Sequence, residues 1–348
     1  MGRYALLILP STNRVYASAS VAMTQAELEV FNRSVLDNRL AEVSVSTIGG
    51  LSYVTFLADK LDSVDADYLA NLSSSYALFE VVGDLLRPVD LHSLDRYDDD
   101  LITIQKYPGK TNEQFTKLLL NVCILSSAFA REMLSRKFTV LDPLCGRGTT
   151  LNQALMYGFD AAGVDIDQKD FEAYSAFIQT WLKRKRIKHH AEHIPIRRNK
   201  QIVARRLRIS LAAVKEDYKA GEAQHLDVVN ADTTRAVEFF RAGTVDLVVT
   251  DGPYGVQHGS RTAARGLARS PLDLLGTAVP GWVALMRDGG ALAMSWNAFV
   301  ARREDAAAVL TGAGLEVLDS EPYLAFRHRV DQAIMRDVIV ARKLERTR

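Results

Sequence analysis

The sequence has little to cross-link it and nothing to anchor it. Two of its 348 residues are cysteines, Cys123 and Cys145, set far apart in apolar surroundings. That excludes a disulfide framework and a cysteine-based zinc site, and it reads as the reduced chemistry of a cytoplasmic protein. His189, His190 and His193 lack companion cysteines, so no metal is expected. No apolar run approaches the roughly 18–20 residues of a membrane span. The run Tyr4–Pro10 is shorter than the apolar core of a secretory signal and is followed by no cleavage site. Strong net charge is also missing, at +1 overall, but the balance is uneven. Between Lys183 and Arg208 stand eleven Lys or Arg against one acid, Glu192, a local +10 that leaves the rest of the chain at −9. Charge so concentrated points to a polyanionic partner. With 48% hydrophobic and 24% charged residues, the remainder is ordinary globular material.

The length allows two units. Residues 4–9 read as a buried strand. Thr24 with Glu27 three residues on reads as a capping box opening a helix. Strands follow near Glu42–Thr47 and Ser52–Leu57, joined by Gly49-Gly50. Asp65 to Phe79 has helical apolar spacing, and Leu85-Leu86-Arg87-Pro88 closes the unit. The β-α-β-β-α-β alternation predicts a small ferredoxin-like α+β domain over residues 1–90. The acidic stretch 91–106 reads as a linker, and an amphipathic helix is expected over Glu113–Leu134.

Residues 107–348 have a different rhythm. Phe138-Thr-Val-Leu-Asp-Pro-Leu-Cys-Gly-Arg-Gly-Thr149 is a strand, a glycine turn and a helix start. In such turns a nucleotide-like ligand approaches backbone N–H groups closely, and Gly146 and Gly148 permit that approach. A second strand ends in Asp165, about 20 residues on, where an acid can take both ribose hydroxyls of a nucleoside. Its neighbour Asp167 is better suited to cap the next helix. Further strands end at Asp232 and at Asp251, the latter opening onto Gly252-Pro-Tyr-Gly255. Strands near Gly290–Trp296, Leu315–Leu318 and Arg336–Ala341 complete an alternating series. This predicts a doubly wound, Rossmann-like α/β sheet with ligands at the carboxyl ends of its strands.

Asp142-Pro-Leu-Cys-Gly-Arg-Gly-Thr149 resembles the D-P-x-C-G-x-G-T loop of class I S-adenosylmethionine-dependent amino-methyltransferases. Asp251-Gly-Pro-Tyr254 resembles their (D/N)-P-P-Y loop. Tyr107-Pro-Gly-Lys-Thr111 and Tyr254-Gly255 look most like the tRNA guanine-10 N2-methyltransferase family. The resemblance covers about residues 105–343. It departs in two places: Gly252 stands where the family has proline, and the N-terminal part is too short for that family's ferredoxin-like plus THUMP pair.

The resemblance implies S-adenosyl-L-methionine as cofactor, held by Asp142, Pro143, Cys145, Gly146, Gly148, Asp165 and Asp232, with Thr111 at the methionine carboxylate. It implies catalysis by Asp251, Gly252, Pro253 and Tyr254: two acceptors aim an exocyclic amine while the tyrosine stacks on the base. The implied partner is nucleic acid, tRNA first. Phosphate contacts are expected from Lys183, Arg184, Lys185, Arg186, Arg197 and Arg198. Arg261, Arg265, Arg269, Arg327, His328 and Arg329 could add to them. A DNA adenine-N6 or cytosine-N4 methyltransferase would share both motifs. A non-catalytic nucleic-acid-binding relative would be marked by Gly252. Proline at 252 is expected to be tolerated unless the glycine uses positive φ.

Overall fold

The computed structural model describes residues 1–11, 14–252 and 271–345. Pro253 and Tyr254, with Arg261, Arg265 and Arg269, lie outside the described residues.

The first unit comprises β1 (Gly2–Ile8), α1 (Arg14–Ser34), β2 (Ala41–Ile48), β3 (Leu51–Ala58), α2 (Ser63–Ala70), β4 (Ser75–Val82) and β5 (Leu85–Val89). Its antiparallel sheet has the order β2-β3-β1-β4-β5. The first four strands carry the ferredoxin-like order, and β5 adds an edge by hairpin to β4. Two local expectations fail here. Thr24 caps nothing: α1 starts ten residues earlier, and the Thr24 hydroxyl donates to the Ser20 carbonyl within the helix (2.7 Å). No Gly or Pro occurs between Arg14 and Ser34, so nothing forces a break. The stretch from Asp65 to Phe79 divides into α2 and β4. The capping box is Asp62 with Asp65, and the helix ends at Asn71.

The second unit contains α3 (Asp100–Thr103), α4 (Glu113–Ser126), β6 (Thr139–Asp142), α5 (Thr149–Met156), β7 (Asp160–Asp165), α6 (Gln168–Arg184), β8 (Lys188–Arg198), β9 (Gln201–Ala212) and α7 (Lys215–Ala220). It continues with β10 (Gln224–Asn230), β11 (Val245–Asp251), α8 (Pro271–Leu285), β12 (Met286–Asn297), α9 (Arg303–Gly312), β13 (Glu316–Val317), β14 (His328–Arg329) and β15 (Met335–Arg342). The sheet runs β13-β15-β12-β11-β6-β7-β10-β9-β8, with β14 on β15. Strands β12, β11, β6, β7 and β10 are parallel. From β6 the chain winds outward through β7 to β10, then returns to the other side of β6 with β11 and β12. The strand order therefore reverses between β6 and β11. That is where a doubly wound sheet opens a crevice at its carboxyl edge.

The two units share one hydrophobic core that runs without a break from Leu6 and Phe31 through Leu118 and Val122 to Val249. Helix α4 is the reason. It was expected to be amphipathic and to reach Leu134, but it stops at Ser126 and is buried from Phe115 onward apart from Lys117. It lies between α1 and the larger sheet. The stretch expected to be a linker is docked as well: Asp100 accepts from the Trp181 indole (2.9 Å), and the Tyr97 hydroxyl donates to Gln224 (2.6 Å).

Glu27 holds the seam. Fully buried on α1, it accepts from the Ser73 hydroxyl (2.5 Å) and N–H (3.1 Å) and from the Asn121 amide on α4 (2.7 Å). Asn121 also donates to the Asn71 carbonyl (2.7 Å) and accepts from the Tyr157 hydroxyl (2.8 Å). Burial pushes the Glu27 carboxyl up to about 7, with the Asn121 and Ser73 hydrogen bonds opposing. A raised folded pKa means the folded chain binds the proton more tightly. This contribution is therefore fully present below the unfolded value near 4.5 and is lost as pH rises through 7. Glu27→Gln removes that ionisation. Its stability is expected to be flatter between pH 4.5 and 7 than the native chain's, by up to about 3 kcal/mol over the window. Denaturant midpoints measured across that range check it, and parallel curves would contradict it.

Candidate active site

Asp142 ends β6 and Asp251 ends β11, side by side at the reversal point. The loop after β6 is fixed from behind. The Cys145 N–H donates to the Val164 carbonyl (3.0 Å), and the Gly148 N–H to the Cys145 carbonyl (2.7 Å). Gly146 and Gly148 both have positive φ, at 48° and 78°. They differ in what surrounds them. A Cβ on Gly148 would strike the Tyr174 ring at 2.4 Å, whereas one on Gly146 would meet open space. Gly148 is thus required for packing, and Gly146 borders the crevice. Cys145 is buried against Gly163, and a Cβ there would lie 2.8 Å from its sulfur. Pro143 sits in the same turn.

The carboxylates of the cofactor side have distinct neighbours. Asp142 is 3% exposed, and burial pushes it up to about 7, opposed by the Leu144 N–H (3.1 Å) and the Thr150 hydroxyl. Asp165 accepts the Gly146 N–H (2.7 Å) and the Asp167 N–H (2.8 Å). Burial raises it above the ordinary carboxylate range, and those two N–H groups oppose the rise. The Gly146 N–H therefore points to Asp165 and not outward, so the loop and the second acid form one braced unit. Asp167 caps α6 as expected, accepting from Lys169 (2.7 Å) and Asp170 (3.3 Å). Asp232 caps the short helical turn Thr233–Glu238 through one oxygen, which accepts from the Thr234 N–H (2.9 Å) and hydroxyl (2.8 Å). Between these acids Ile166 is 56% exposed. The sequence reading passed over it, although an exposed isoleucine after a strand-end acid offers an apolar seat for a flat ring.

Asp251 is clamped. It accepts from the Ser295 hydroxyl, from the Thr111 hydroxyl (2.6 Å) and from the Arg336 guanidinium (3.4 Å). Ser295 is its register partner on β12, and Arg336 arrives from β15, two strands away. Arg336 is 5% exposed and lies over the Phe115 ring at 4.4 Å. Thr111 was expected at the methionine carboxylate, but its single O–H goes to Asp251 instead. The Tyr107–Thr111 segment bridges the two loops, because the Tyr107 hydroxyl pairs with Thr149 (3.2 Å) and Arg147 covers its ring. The Gly252 N–H donates to the Ser295 carbonyl (2.7 Å), and its φ is not positive.

The basic run is not one patch. Strand β8 is 11 residues long, so its ends stand roughly 35 Å apart. Lys183, Arg184, Lys185 and Arg186 lie at the amino edge, away from both loops. Two of them are neutralised there: Lys185 pairs with Asp98 (2.7 Å) and Asp100 (2.8 Å), and Arg184 with Asp100 (3.1 Å). Arg197 and Arg198 lie at the opposite, carboxyl end. His328 is 6% exposed, with Nδ1–H donating to the Phe326 carbonyl (2.9 Å), and burial lowers its pKa to about 4. It is packed against Phe115 and cannot be a phosphate contact.

Residues 125–295 match the family model described as an RMKL-like methyltransferase domain. The matched span contains both loops. No curated protein matches the sequence. Among solved structures the chain is similar to a TehB-like SAM-dependent methyltransferase from Corynebacterium glutamicum (16% identity, 62% of this chain and 85% of that one, TM-score 0.34). It is also similar to a precorrin-6y C5,15-methyltransferase from Geobacter metallireducens (12% identity, 72% and 97%, TM-score 0.38). A third is the Burkholderia thailandensis 1,6-didemethyltoxoflavin-N1-methyltransferase (15% identity, 69% and 94%, TM-score 0.36).

Proposed function

We propose that this chain is an S-adenosylmethionine-dependent methyltransferase that modifies an exocyclic amine of a nucleobase, with guanine N2 in tRNA as the leading target. One observation carries the reading: Asp251-Gly252 stands beside the glycine loop at the sheet's reversal point, its carboxylate oriented by Ser295, Thr111 and Arg336. A nucleobase amine shares its lone pair with the ring and needs two acceptors to aim it. A carboxylate and the Gly252 carbonyl are such a pair. Tyr254, by its motif, stacks on the base. When bound, S-adenosylmethionine supplies an electrophilic methyl group on a sulfonium. The chain supplies the seat, with Asp165 for the ribose hydroxyls, Ile166 for the adenine face and the second oxygen of Asp232 for the adenine amino group.

Asp165→Ala is expected to weaken cofactor binding about tenfold to a hundredfold, because it removes charged acceptors from the ribose and releases the Gly146 N–H. Calorimetry showing unchanged affinity would remove Asp165 from the seat. The target class is tested by incubating the protein with methyl-labelled cofactor and separate tRNA, rRNA and DNA pools. Label in tRNA supports the reading, label confined to DNA favours an adenine-N6 or cytosine-N4 enzyme, and no label in any pool contradicts it.

A further inference from the structure

The hairpin of β8 and β9 does not end with the sheet. Asn230, the last residue of β10, is in register with Asp165 on one side and Arg205 on the other, and Arg205 faces Pro195. Residues 196–204 therefore extend past the level of Asp165. The turn is at Asn199-Lys200, whose φ values of 50° and 65° suit a two-residue hairpin. At about 3.3 Å per residue the tip stands roughly 13 Å beyond the carboxyl edge. From Ile196 to Arg205 there are four cations and no acid. Arg198 leans on Glu238 (3.1 Å) in the helical turn capped by Asp232, and Arg205 pairs with Glu172 (3.2 Å). Those contacts steady the arm beside the cofactor seat. Arg197 and Lys200 are exposed and have no carboxylate within 4.0 Å among the described residues. Charge on an edge strand also deters unwanted strand pairing. That accounts for Lys188, which lies within the sheet, but not for cations raised above it.

Resting on the nucleobase reading, we infer that this arm is a phosphate clamp that restricts the enzyme to polynucleotides and sets their minimum length. Asp251 on β11 is four strand spacings from β9 and five from β8, which is about 19–24 Å. At the 3.4 Å rise of stacked nucleotides, that spans about six steps. A base bound at Asp251 reaches Arg197 and Lys200 only if the strand continues about six nucleotides beyond it.

The test is a length series of target-containing oligonucleotides, from mononucleotide to intact tRNA, methylated by the native chain, by Arg197→Glu/Lys200→Glu, and by Lys215→Glu at the amino edge. The native chain and Lys215→Glu should show kcat/KM rising steeply between about four and eight nucleotides. The double reversal should lose that rise, and its log–log salt slope should fall by about 1.4–1.8 for the two lost phosphate contacts. Equal rates for all lengths in the native chain would overturn the clamp and leave the nucleobase reading standing. So would an unchanged length dependence in the double reversal. Failure of the native chain on every length would overturn both. Circular dichroism of the variants, whose changes lie on exposed side chains, separates misfolding from lost binding.

Discussion

Asp251→Ala is expected to slow single-turnover methyl transfer by about 10²–10⁴-fold, the usual consequence of losing a positioned catalytic group. Cofactor affinity should stay near that of the native chain, because the role proposed for this carboxylate is toward the acceptor amine and not toward the cofactor. The substitution also takes a carboxylate from Arg336, which is 5% exposed, so some loss of stability accompanies it. Asp251→Asn resolves the two effects. It keeps the shape and one carbonyl oxygen for Ser295 or Thr111 while removing the charge that Arg336 meets. Its melting temperature should lie closer to native, and its rate should still fall well below native. Undiminished turnover in both variants would leave the catalytic assignment without support.

Gly252→Pro is expected to lower the rate by about a hundredfold, the scale of a misplacement of 1 Å in an active site. A left-handed backbone is not the obstacle, since the φ of this glycine is not positive. The obstacle is the N–H, which donates to the Ser295 carbonyl at 2.7 Å. Proline has no such hydrogen, and its ring carbon would occupy the place of the donor. A Cβ at this position already lies 3.0 Å from the same carbonyl oxygen. Ser295 would be pushed away, and its hydroxyl is one of the groups that orient Asp251. Gly252→Ala keeps the N–H and should fall between proline and the native residue. Here, then, the residue that departs from the resembled motif is the one the local structure requires. A fully active proline variant, compared by single-turnover rate, would show that the β11–β12 contact at Ser295 is dispensable.

What the sequence made legible, and what it hid, follows from which contacts are local. Asp142, Asp165 and Asp251 each close a short apolar run, so their places at strand ends were readable from alternation alone, whereas the strand expected to end at Asp232 stops at Asn230 and Asp232 caps the helical turn that follows. Asp167 as a cap was readable for the same reason. Ser295 and Arg336 were not, because their approach to Asp251 exists only once β12 lies beside β11 and β15 beside β12. A buried-strand pattern that begins with an arginine and an aspartate, Arg336-Asp337, was the available sign. The basic run misled because proximity along a chain is not proximity in space when an extended strand intervenes. Thr24 misled because a capping pattern inside an unbroken helix-forming stretch has no boundary to mark. Glu27, half of that supposed cap, instead holds the seam between the units.

The most direct test of the central claim is the identity of the methylated atom. Nucleosides released from tRNA after reaction with labelled cofactor should contain the label in a single species, N2-methylguanosine, identified by mass spectrometry, and Asp251→Asn should reduce its yield. Label on a ring nitrogen, on carbon or on a ribose oxygen would contradict the account, since none of those three positions needs a carboxylate and a backbone carbonyl to hold two amine hydrogens.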